Sequence, residues 1–437
     1  MTDATGAHAA GVIEARLGRP ARDVVEATVV LEAWAGVPAT TAMSTARGVI
    51  RSEGTPARGT GRVDTGDRTE QQMVVLEGLA LIMSILSVAA WATPLSRAFG
   101  TQALADAIRV ALPVAVAIQW GLRSRYLSLP TGLALLARDG VPLIVAAVAV
   151  EVSLALVPGW GWIAALLIAI WVGGAIITRR GWGLLYAIAL VVAAVALSRH
   201  APARLVLLVL TSLVVAACAA GLLTRRADTD ERPGTVARAL LAALLGACVG
   251  VLLVADPSLG WGVRGIHPAI ALLPSVIGSL WGGYHLWNLY QAVPRALSGV
   301  PPVRASRLAI TGPAMSLLLG AMLRVVAATV VLSALVIAAA PWTQGTDENS
   351  VFVAFGLVAL FSLHVSLLES LGRARAALVA AAAALAAEFV WPLVVPSHVA
   401  GGPLAVGAAI GLLLTLPPLV ALLSRAGRVL ATTLWIH

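Results

Sequence analysis

Residues 225–238 read RRADTDERPGTVAR, the one densely charged loop in the middle of an otherwise apolar chain. On either side the sequence is Ala, Leu, Val and Gly in runs of roughly twenty residues, the length a helix needs to cross about 30 Å of hydrocarbon. Six runs precede the loop, at about 73–93, 103–122, 140–157, 160–178, 181–198 and 203–224. Six follow it, at about 236–254, 267–293, 311–338, 351–371, 375–396 and 403–423. The loop therefore reads as a cytoplasmic link. The expected fold is an all-α integral membrane protein of about twelve transmembrane helices in two parallel six-helix halves, 72–224 and 236–423, joined through 225–235.

Composition agrees. The 437 residues are 59% hydrophobic and 12% charged, with a mean hydropathy of +0.92; a soluble domain carries about twice that share of charge. Trp91, Trp160, Trp162, Trp182, Trp342 and Trp391 fall near span ends, where indole rings anchor at the headgroup level. The 30 basic residues are all Arg. Without lysine there is no Schiff-base or P-loop chemistry, which removes pyridoxal-type catalysis and Walker-type ATPases. A pI near 10.9 is a matter of topology rather than of nucleic acid, because the arginines sit in loops between spans. Cys218 and Cys248 lie singly in apolar runs and read as small buried hydrophobes, with no metal or disulfide motif.

Orientation follows from counting arginines. With the N-terminus inside, the inner connections and C-terminus hold sixteen Arg and the outer loops four. The positive-inside rule then places both ends, and the tail at 424–437, in the cytoplasm. The opening MTDATGAHAAGVIEARLG lacks a signal-peptide pattern, in keeping with this. Exclusive Arg with abundant Ala and Gly accords with a GC-rich bacterial genome, so the expected location is a bacterial cytoplasmic membrane.

Residues 1–71 are different material, with eight Arg and nine acidic residues. RPARDVVEATVVLEAWAG (19–36) reads as a helix with Pro20 in its first turn and Gly36 as its stop, and 39–50 as a second short helix. Residues 52–69 read as a flexible linker. This is expected to be a cytoplasmic helical appendage, suited to docking a cytoplasmic or envelope-biosynthesis partner protein.

The spans carry polar arcs. In span eight, on a wheel of 100° per residue, Trp281, Tyr284, His285, Asn288 and Gln291 gather on one side. In span two Asp106, Arg109, Trp120 and Arg123 share an arc. Sliding the second half back by 161 residues matches Leu112, Pro113, Trp120 and Gly121 with Leu273, Pro274, Trp281 and Gly282, a sign of duplication. Arg324 and Glu151 are mid-membrane charges at comparable depth in the two halves, either a structural ion pair or cavity lining. Glu388 is the most buried-looking carboxylate, and His364 reads as a packed histidine. Such arcs serve either hydrogen bonding between helices or a polar cavity. As a cavity, Arg109, Trp120, Arg123, Trp281, Tyr284, His285, Asn288, Gln291 and Arg324 suit an anionic amphiphile: Arg pairs phosphate, and aromatic rings stack on sugars. Asp106, Glu151 and Glu388 are then candidates for ion coupling or structure.

No HExxH, GxSxG or acidic metal loop occurs, and the longest outer loop, PWTQGTDENS (341–350), leaves little room for an active site. Neither an enzyme, a cofactor nor a metal is expected. The major-facilitator loop signature is missing between spans two and three, where RSRYLSLPTGLALLARDG stands. The topology, and the stretch YHLWNLYQAVPRALSGVPPVRASRLAITGPAMSLLLGAMLRVVAATVVL (284–332), resemble the polysaccharide flippases of the multidrug/oligosaccharidyl-lipid/polysaccharide (MOP) exporter superfamily. That resemblance implies an alternating-access flippase for a lipid-linked oligosaccharide, with spans one, two, seven and eight lining the path and membrane lipid around it. The alternatives are another secondary transporter or small-molecule exporter, or a membrane subunit or enzyme of an envelope-polymer assembly complex.

Overall fold

A computed structural model describes residues 3–17, 21, 24–35, 37–52, 66–127, 132–223, 233–256, 259, positions 316, 319–320 and 323–324, and 326–335, 338, 349–370, 372–395 and 400–423. The elements are α1 (Asp3–Leu17), α2 (Val24–Trp34), α3 (Ala39–Ser52), α4 (Gly66–Phe99), α5 (Thr101–Leu122), α6 (Gly132–Asp139), α7 (Val141–Ala155), α8 (Gly161–Arg179), α9 (Gly183–Ser198), α10 (Ala203–Leu223) and α11 (Val236–Leu252). They continue with α12 (Val326–Leu335), α13 (Asn349–Ser370), α14 (Ala374–Val394) and α15 (Gly402–Leu423). Every described element is helical.

Among the described residues seven helices are long and apolar enough to cross a membrane: α4, α5, α8, α10, α13, α14 and α15. The pair α6–α7 is apolar enough to cross as well but is bent by 76° at Gly140, the geometry of a broken span or a re-entrant loop, and α9, α11 and α12 are shorter apolar helices. The chain is an all-α, multi-pass membrane protein. These helices fall on the sequence-defined spans other than span eight, which lies outside the described residues.

Residues 1–67, 281–327 and 416–437 form one compact unit, and 68–280 with 328–415 another. In the first, α1, α2 and α3 close on a small core of Ala9, Ile13, Ala27, Val30, Leu31, Ala42, Ala46 and Val49. Helix α1 was not legible in the sequence. Helix α2 runs Val24–Trp34, with Pro20 and Gly36 outside the described residues, and α4 starts at Gly66, four residues inside the stretch expected to be linker.

In the second unit, α4, α5, α8, α9 and α10 share one core that includes Trp91, Leu104, Ala107, Ile163, Ile168, Leu190 and Leu207. Trp91 corrects its sequence reading as an interfacial anchor. It is 1% exposed, and its Nε1–H donates to the Leu190 carbonyl of α9 at 3.3 Å. The ring is large enough to fill the α4–α9 gap, and burial obliges its N–H to find an acceptor. Trp160, Trp162, Trp182 and Trp391 stay half-buried near helix ends; Trp342 lies outside the described residues. Helix α6 tucks Leu133, Leu135 and Leu136 against Leu122 and Tyr126, with Val172, Ile176 and Leu222 packed alongside. Helix α7 then runs on with none of its residues fully buried.

A second group forms around α11, which packs on α14, with α13 and α15 joining it. Thr235 caps α11, its hydroxyl accepting from the Arg238 amide at 3.3 Å. The two groups meet where α11 lies along α5, the most extensive helix–helix contact among the described residues.

Candidate functional site

The site is built at the far end of α11. The helix finishes at Leu252, and four residues later the chain buries Asp256, which is 3% exposed. Facing it from α14 is Glu388, 2% exposed. The Asp256 carboxylate and main-chain amide lie beside the Glu388 carboxylate, and among the described residues no hydrogen bond of ordinary geometry reaches either Glu388 oxygen. Gly407 of α15 closes the third side. A Cβ there would stand 3.2 Å from the Glu388 Cβ, 3.3 Å from Leu252 and 2.7 Å from the Ala384 carbonyl oxygen. Two carboxylates are thus enclosed by α11, α14 and α15 in a setting poor in donors.

Two acidic side chains set side by side among apolar helices offer oxygen ligands to a proton or a small cation. Among the described residues no three His, Cys, Asp or Glu side chains converge as a metal site. The sequence singled out Glu388 for the Phe-Val-Trp-Pro that follows it. It missed Asp256, whose only signal is an acidic residue at the end of an apolar run, where an exposed turn is the ordinary outcome.

A smaller polar contact joins α13 to α15. His364 Nδ1 lies 3.1 Å from Thr415 Oγ1, and that hydroxyl donates its own proton to the Leu412 carbonyl at 2.8 Å. The oxygen can only accept from the ring, so Nδ1 carries the hydrogen. This is the packed histidine the sequence indicated, with Thr415 as the partner it did not.

On α5 the structure brings two of the expected residues together. Asp106 and Arg109 form an ion pair at 3.3 Å, about one-third exposed on each side, and Gln102 donates to both Asp106 oxygens. Arg109 is already partnered within its own helix, so its charge is partly spent before any anion arrives. Trp120, on the same arc, lies against α11: a Cβ on Gly246 would come 3.1 Å from its Cβ and Cγ. Arg123 is exposed where α5 passes into a single π turn, Arg123–Leu127. That end is tied to the approach of α11 by the Gly234 amide donating to the Arg125 carbonyl at 2.9 Å.

Glu151 stands with Ala147 and Leu154 on the half-buried stripe of α7, the helix that packs on α8. It has no ion-pair partner among the described residues. Arg324 is helical and exposed. Trp281, Tyr284, His285, Asn288 and Gln291, with the rest of span eight, lie outside the described residues.

No protein-family model matches the chain, and no curated protein matches it. Among solved structures the chain is similar to a multidrug-resistance transporter of the MATE family of the MOP superfamily, in an outward-facing conformation. The two are 14% identical with a TM-score of 0.44, over 80% of this chain and 96% of the other.

Proposed function

We propose that this protein is a secondary transporter that uses the Glu388–Asp256 pair as its ion-coupling site and exports an anionic amphiphile, a lipid-linked oligosaccharide or related glycolipid, across the bacterial cytoplasmic membrane. The observation that carries the reading is Glu388 itself, a carboxylate buried between three apolar helices and reached, among the described residues, by no hydrogen bond of ordinary geometry. A group so placed costs stability in every protein that keeps it. Exchange of a proton or cation at that point gives it work to do, since the charge state of the pair then differs between conformations open to the two sides. The arginine-bearing face of α5 supplies the contact for phosphate, with Arg109 redistributing its charge between Asp106 and the substrate.

Proteoliposomes containing the full chain, loaded with a fluorescent polyprenyl-pyrophosphate glycan, test this. Imposing a pH or sodium gradient is expected to drive glycan movement, and Glu388→Gln, which keeps the shape and removes the charge, is expected to abolish the gradient-driven part. Gradient-driven movement left intact in Glu388→Gln would dismiss the coupling role. Movement of small cationic drugs in place of the glycan would turn the reading toward a small-molecule exporter.

A further inference from the structure

The α5–α11 contact is made in an unusual way for the seam that joins two groups of helices. Membrane helices commonly meet through small residues that let their backbones approach. Here the small residues coincide with a break in the opposing helix. A Cβ on Gly250 would stand 2.6 Å from the Pro113 Cα and 3.2 Å from the Pro113 nitrogen, and one on Gly246 would stand 2.9 Å from the Val116 carbonyl oxygen. At both points one main chain rests directly on another. Pro113 is buried inside α5, has no amide hydrogen, and leaves the Arg109 carbonyl without its intrahelical donor. One turn further inward the spacing relaxes, since a Cβ on Gly121 would find Ala243 and Ala239 at 3.4 and 3.5 Å, ordinary contact.

The rest of α5 is held differently. Leu104, Ala107 and Ala111 are locked into the core shared with α4, α8, α9 and α10. Farther along, Gln119 Nε2–H donates to the Trp171 carbonyl of α8 at 2.8 Å. Helix α5 therefore travels with its own group, while its Pro113–Trp120 face presents to α11 a surface against which no side chain of Gly246 or Gly250 interlocks. Interdigitated side chains would fix one crossing angle; backbone on backbone, beside a missing hydrogen bond, leaves the angle soft.

We propose that the Gly246–Gly250 face of α11 and the Pro113 break in α5 are the fulcrum on which the α4–α10 group rocks against the α11–α15 group. The proposal rests on the transporter reading only in that rocking serves transport. Gly250→Ala pushes a methyl group into the Pro113 backbone and separates the helices, so one crossing angle is lost. Gly246→Ala acts likewise through Val116 and Trp120, whereas Gly121→Ala fits.

The test uses the full chain in nanodiscs, with Cys218 and Cys248 replaced by Ala and spin labels at Leu205 of α10 and Leu393 of α14, both exposed. Distances are read by pulsed electron paramagnetic resonance. The parent protein is expected to show two distance populations. In Gly250→Ala the minor one is expected to fall about tenfold, equivalent to about 1.4 kcal/mol, with Gly246→Ala similar and Gly121→Ala unchanged. If Gly250→Ala does not fold, Gly246→Ala carries the test. Two populations in unchanged ratio in folded Gly250→Ala or Gly246→Ala would overturn the fulcrum and leave the transporter reading standing. A single population in the parent would overturn both.

Discussion

Glu388 and Asp256 share one electrostatic problem, so their substitutions are expected not to add. Glu388→Gln alone relieves a buried, poorly compensated charge and is expected to raise the thermal midpoint, as removing buried charges often stabilises by about 1–4 kcal/mol. Asp256→Asn removes the neighbouring carboxylate from the other side. A double-mutant cycle of thermal unfolding in detergent is expected to show a coupling above about 0.5 kcal/mol; additivity would mean that the two groups do not sense each other. Trp91 poses a packing question instead. Trp91→Phe removes the bond to the Leu190 carbonyl and part of the ring, and is expected to cost about 1–3 kcal/mol; an exposed headgroup anchor would cost under about 0.5 kcal/mol. The two residues also mark what could be read in advance. Glu388 was legible because a carboxylate deep in an apolar run is anomalous wherever the helix faces. Trp91 was not, because span ends and core gaps attract the same residue, and only the neighbouring helix decides between them.

Among the elements, α8 bears the densest set of cross-links. Three of its carbonyls within one turn accept from other helices: Ile170 from the Tyr186 hydroxyl of α9 at 2.9 Å, Trp171 from Gln119 of α5 at 2.8 Å, and Gly173 from the Cys218 thiol of α10 at 3.4 Å. Gly173 and Gly174 make room for this. A Cβ on Gly174 would lie 2.6 Å from the Tyr186 ring and one on Gly173 2.3 Å from Val214. Tyr186→Phe is expected to cost only about 0.6 kcal/mol, the usual worth of a hydrogen bond between membrane helices. Gly174→Val is expected to cost several-fold more, because the ring has no free space to retreat into. Thermal unfolding of the two variants checks the order; equal losses would mean that the hydrogen bond, not the close approach, holds α9 in place. None of this was visible in the sequence. GlyGly in an apolar run announces a close approach without saying which helix comes close.

For the whole molecule, the helical class and the position of most spans followed from run length alone, since hydrocarbon thickness fixes how long an apolar helix must be. Helix α6 did not follow, because its eight residues are too short to cross hydrocarbon and read as part of the loop before span three. Topology itself is open to a direct check. In a cysteine-free background, a cysteine at Thr229 is expected to resist a membrane-impermeant reagent in intact cells and one at Gly345 to react; the reverse pattern would invert the arginine argument. The bend has a further physical effect. With α6 turned aside, α7 has 15 residues, about 22 Å of helix, and α9, which also packs on α8, has 16, about 24 Å. Both fall short of an ordinary bilayer by several ångströms, so the lipid beside them must thin or the headgroups must sink. The protein thus carries, along the outside of its first group of helices, a strip where the barrier to a polar headgroup is already lowered by hydrophobic mismatch.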